Sequence, residues 1–89
     1  MLDGRNIDNG TTTATTTAAP VSTSTNVIVA VLIQNDPVNT VNVLIGTVTG
    51  QNMKLVPGAS IEMEVDVLNK VYAKTESGTA VVNYIISSQ

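Results

Sequence analysis

The sequence predicts an all-β protein, a small antiparallel β-sandwich of jelly-roll-like or Greek-key type over residues 26–89, preceded by an extended N-terminal arm over residues 1–25. Three observations lead there. Residues 60–67, Ser60-Ile61-Glu62-Met63-Glu64-Val65-Asp66-Val67, alternate strictly, with Ile61, Met63, Val65 and Val67 on one side and the three carboxylates on the other. Short apolar runs separated by Pro, Gly and Asn turn signals recur from residue 26 to the end, and none has a helical period. Residues 11–25 are a Thr-rich low-complexity tract with almost no apolar side chains.

Taken in order, residues 1–10 hold Asp, Asn and Gly at turn-like density, with Leu2 and Ile7 as the apolar residues. A calcium loop fails here, because placing its glycine at Gly10 puts Ile7 and Arg5 at ligand positions. The tract Thr11 to Thr25 lacks the apolar surface to offset its own ordering entropy, yet its β-branched residues and Pro20 favour extended backbone. Two readings stand: a passive linker, or an arm that orders when laid across a partner. On the second, Leu2 and Ile7 anchor it and Thr11, Thr12, Thr13, Thr15, Thr16 and Thr17 present main-chain groups to a neighbouring sheet.

Residues 26–34 and 79–87 are apolar on both faces, as in strands central to a sandwich or covered by another chain. Asn35-Asp36-Pro37 reads as a turn, residues 40–48 as a strand with a bulge or bend at Gly46, and 53–56 as a short strand. Pro57-Gly58 has the chemistry of a type II turn and fixes the start of the alternating strand, in which Val65 is placed in the core. Residues 71–74 form another short strand, and Gly78 takes a left-handed turn before the last one.

Composition narrows the function. The chain has neither Cys nor His, so disulfides and the common zinc sites are excluded, and no cofactor is expected. A net charge of −3 with four scattered cations, Arg5, Lys54, Lys70 and Lys74, argues against nucleic acid. No apolar run is long enough to cross a membrane as a helix, and Met1-Leu2-Asp3-Gly4-Arg5 lacks the basic and apolar segments of a signal peptide, so no membrane partner is expected. Glu62 and Glu64 share a strand face at a spacing that inverting glycosidases use, but that face is solvated and offers no burial to set an acid apart from a base, so no enzyme is expected. Tyr72 and Tyr84 are the only aromatic residues, thin provision for stacking a sugar, and are read as packing residues.

An ordered series of motifs adds a resemblance. Ile33-Gln34-Asn35-Asp36-Pro37, then Ile45-Gly46-Thr47-Val48-Thr49, then Leu55-Val56-Pro57-Gly58-Ala59-Ser60, then Tyr72-Ala73 and Ser77-Gly78-Thr79 follow one another. This order resembles the small β-sandwich modules of tailed-bacteriophage virion proteins, especially accessory head proteins. The likeness spans roughly residues 27–87 and departs from the scheme at Leu44, where such modules often carry Tyr. It implies a capsid decoration or cement subunit on the head exterior, made in the host cytoplasm, that binds the major capsid protein. A homo-oligomer is expected, with a trimer as the first expectation, because a small aliphatic core without staples needs support. Since such modules also occur on tails and fibres, a receptor- or carbohydrate-binding module is the alternative.

Overall fold

The computed structural model describes residues 6–88. Eight strands are present: β1 (Asn6–Ala14), β2 (Ala19–Pro20), β3 (Ala30–Asn35), β4 (Val43–Thr47), β5 (Gly50–Leu55), β6 (Ser60–Glu64), β7 (Tyr72–Thr75) and β8 (Ala80–Ser88). Among the described residues the one helical element is a single 3₁₀ turn at Leu68–Lys70. All pairings between the strands are antiparallel, and they form two four-stranded sheets, ordered β1-β8-β3-β6 and β2-β7-β4-β5. The expected small β-sandwich is therefore present, and its strand order is that of an eight-stranded jelly roll.

Alternation explains the core. In the first sheet Val31 and Ile33 of β3 and Val82 of β8 face inward and are fully buried; Val43 and Ile45 of β4 meet them from the second sheet. The two segments that are apolar on both faces became β3 and β8, the two interior strands of the first sheet. Several local expectations hold. Gly58 has φ +89 and Gly78 φ +66, both left-handed as their turns require, and the β4–β5 register shifts between Ile45 and Thr47, around Gly46.

The alternating strand has the expected faces but a different place. As β6 it lies at the edge of its sheet, so Ile61 and Met63 are half-buried while Glu62 and Glu64 are exposed. Val65, expected in the core, lies just past the end of β6 and is only half-buried. An edge strand has a neighbour on one side only, and its inward side chains reach the rim of the core.

The N-terminal segment differs from the expectation of an arm outside the sandwich. It is extended, but residues 6–14 pair along their whole length with β8, residues 19–20 pair with β7, and Ala14 and Val21 are buried in the core. Among the described residues the sandwich thus begins at Asn6 rather than residue 26. The physical reason is that main-chain groups, not apolar side chains, hold β1. Its inward positions Asp8, Gly10, Thr12 and Ala14 place only Ala14 in the core, while the ladder satisfies one side of β8. Gly10 is required by a close approach: the Tyr84 ring lies over it, and a Cβ there would come within 2.5 Å of the Tyr84 hydroxyl oxygen. Tyr84 packs against the core, as expected of it.

Candidate interaction surface

The functional candidates of the tract divide among three places. Ile7, Thr11 and Thr13 share the outward face of β1 with Asn9, Ile7 being 55% exposed. Thr12 faces the other way and is half-buried. Thr15, Thr16 and Thr17 form the exposed β1–β2 loop, where Thr15 Oγ1 accepts from the Thr17 N–H and the Thr15 carbonyl accepts from the Thr75 N–H at 2.8 Å. Leu2 lies outside the described residues.

Across the outward face of the first sheet, the register sets Asn9 beside Ile85 and Leu32, and Thr11 beside Asn83, Gln34 and Ser60. A shallow groove of about 240 Å³ opens there, with Leu32 and Ile85 supplying apolar surface and Asn9, Gln34, Ser60 and Asn83 the polar groups. Asn83 Nδ2 donates to Gln34 Oε1 at 3.1 Å and to Asp36 Oδ2 at 3.0 Å. The Val38 N–H and then the Asn83 amide hold the Asp36 carboxyl below its ordinary value. Sequence reading missed this groove, although its signal was present: in residues 79–87 the polar Asn83 interrupts an apolar series on one face.

The loops β3–β4, β5–β6 and β7–β8 meet at one end of the sandwich, built on Asn35. Its Nδ2 donates to the Leu55 carbonyl at 2.8 Å and the Val41 carbonyl at 3.0 Å, and its Oδ1 accepts from Asn39 Nδ2 at 2.6 Å. Asn39 in turn bonds both the N–H and the carbonyl of Val81. Read from sequence as a turn residue, Asn35 is fully buried, because it continues the inward set Val31, Ile33 of a central strand. It is a structural amide that ties the β3–β4 loop to the end of β5 and, through Asn39, to the start of β8.

The charges are dispersed. Lys54 pairs with Glu76 at 3.2 Å, and Lys70 with Asp66 at 2.9 Å, all four groups largely exposed. Glu76 is held below its ordinary value by the Asn42 amide first and by Lys54 next, and Asp66 by its hydrogen bond from Lys70. Among the described residues no three His, Cys, Asp or Glu side chains cluster as metal ligands. The surface offers main-chain edge groups, amides and a few apolar side chains, which suit adhesion to another macromolecule. Fold and surface together define a jelly-roll sandwich with an open, largely uncharged first strand. No family model, curated protein or solved structure matches the chain.

Proposed function

We propose that this chain is a capsid decoration subunit of a tailed bacteriophage, which binds the outside of the head and stabilises contacts between neighbouring major capsid proteins. The observation that carries the reading is the strand order β1-β8-β3-β6 over β2-β7-β4-β5, the jelly roll that recurs in viral capsid and lectin domains. The motif series of residues 27–87 adds to it. The action is mechanical: the subunit adds interface area across capsid seams and so resists outward pressure. The dispersed charge supports contact with protein rather than with packaged nucleic acid, since Lys54 and Lys70 are each engaged by a carboxylate.

A second reading, a carbohydrate- or receptor-binding module of a tail or fibre, is favoured by the amide-lined groove at Asn9, Gln34 and Asn83. Co-sedimentation with empty phage heads lacking the subunit, run beside a glycan array, separates the two. Saturable binding to heads supports decoration. Glycan binding without head binding transfers the assignment to the second reading.

A further inference from the structure

β1 presents the longest open edge among the four edge strands, nine residues against six for β5, five for β6 and two for β2. Which groups lie on that edge follows from the ladder. Val81 turns its backbone toward β3: the Asp36 N–H donates to its carbonyl at 3.2 Å, and its own N–H donates to Asn39 Oδ1 at 3.1 Å. Successive residues of a strand alternate sides, so Ala80, Val82, Tyr84 and Ile86 turn theirs to β1, and their partners Ala14, Thr12, Gly10 and Asp8 answer them. The N–H and C=O groups of Ile7, Asn9, Thr11 and Thr13 therefore point off the sheet. The Asn9 N–H donates to Asp8 Oδ1 at 2.9 Å, a local substitute for a neighbouring strand.

We infer that this edge pairs with the same edge of a second copy of the chain, antiparallel about a two-fold axis at Gly10, joining two four-stranded sheets into one. The register sets Ile7 opposite Thr13 and Asn9 opposite Thr11, each reciprocally. It is the one two-fold register that brings all four outward residues of each strand into hydrogen-bonded pairs. Each residue supplies one N–H and one C=O, so eight interchain bonds form. Charge selects the same register. Asp8 is the only ionisable side chain of β1; it lies opposite Thr12 here, whereas a register centred two residues earlier sets two Asp8 carboxylates face to face. Gly10, without a side chain, occupies the axis, where the strands come closest. On the outward face the exposed Ile7 gains the Thr13 methyl of the other copy. The result is a dimer in place of the trimer expected from sequence, and it stands on the edge geometry whether or not the chain decorates a head.

Sedimentation equilibrium of the full chain at tens of micromolar tests this, with Thr11→Pro as the variant. The Thr11 N–H points off the edge, so proline removes an interchain donor and leaves the β8 ladder intact. The expected result is twice the 9.3 kDa chain mass for the parent and the single-chain mass for Thr11→Pro, which keeps a cooperative melting transition but loses the concentration-dependent rise in midpoint that association gives the parent. A monomeric parent overturns the inference. So does a dimer unaffected by Thr11→Pro, which is the outcome of exchanging β1 between copies through its even-numbered residues. Should Thr11→Pro not fold, Ile7→Cys with Thr13→Cys decides, since the chain has no other cysteine. These positions are about 20 Å apart along one strand but opposite one another across the axis, within disulfide reach. Oxidation gives a covalent dimer without free thiols; a monomer retaining two thiols contradicts the pairing.

Discussion

Replacing Asn35 with alanine tests whether the loop end of the sandwich depends on one buried amide. The substitution removes two donated bonds, to Leu55 and Val41, and the acceptor for Asn39. The Leu55 carbonyl faces the interior, so leaving it unpaired costs about 1–3 kcal/mol. Val41 and Asn39 are partly exposed and can turn to water, adding roughly 0.5–1.5 kcal/mol between them. The expected loss is about 2–4 kcal/mol, a large share of the roughly 4–13 kcal/mol that a chain of this size has in total. At about 4–8 °C per kcal/mol the midpoint falls by roughly 8–32 °C. Urea denaturation followed by far-UV circular dichroism measures it, with Asn39→Ala as the comparison, which removes two exposed, replaceable bonds to Val81 and one donor to Asn35 but leaves the buried Leu55 carbonyl paired. A loss below about 0.5 kcal/mol for Asn35→Ala, or a larger loss for Asn39→Ala than for Asn35→Ala, would show that the buried amide does not hold this end of the sandwich.

Other expectations follow from the same packing. Gly10→Ala costs about 1–3 kcal/mol by displacing the Tyr84 ring, and most of that cost vanishes in a Tyr84→Leu background; equal costs in both backgrounds contradict the contact. Ile33→Ala, at a fully buried position, costs about 2–5 kcal/mol in urea titrations, while Val65→Asp costs less than Val31→Asp because Val65 sits at the rim. Asp36, Asp66 and Glu76 all have folded pKa values below their ordinary 3.8, 3.8 and 4.5. Their contribution is therefore fully present at neutral pH and is lost as pH falls from about 4.5 through the lowered values; thermal melts flat from pH 7 to 5 and declining below that range are expected, and a rise on acidification would show the sign to be wrong.

Much of the fold was legible because it is written in side chains. The alternation of residues 60–67, the Pro57-Gly58 turn, the bulge at Gly46 and the doubly apolar segments each correspond to a feature of the sandwich. What could not be read was written in the main chain. A Thr-rich stretch judged by apolar payload looks unable to order itself, yet β8 needs hydrogen-bond partners along its outer side, and β1 supplies them with inward side chains small enough for Tyr84 to lie across. The edge position of β6 was likewise invisible, since alternation specifies faces and not neighbours. Ile7, Thr11 and Thr13, expected to lie along a partner's sheet, belong to a strand of the chain's own first sheet, which a reading of side chains alone did not foresee. Asn35 was hidden by its turn-like successors Asp36 and Pro37; its place two residues after Ile33 on an inward face was the available clue.

Residues 6–20 carry the first two strands of the jelly roll and are not an appendage to it. A chain beginning at Asn26 measures this directly by thermal and urea unfolding beside the full chain. It lacks β1 and β2 with Ala14 and Val21, and it leaves one side of both β8 and β7 unpaired. No cooperative unfolding transition is expected for the shortened chain. A cooperative transition at the midpoint of the full chain would contradict it and return the tract to the role of an arm.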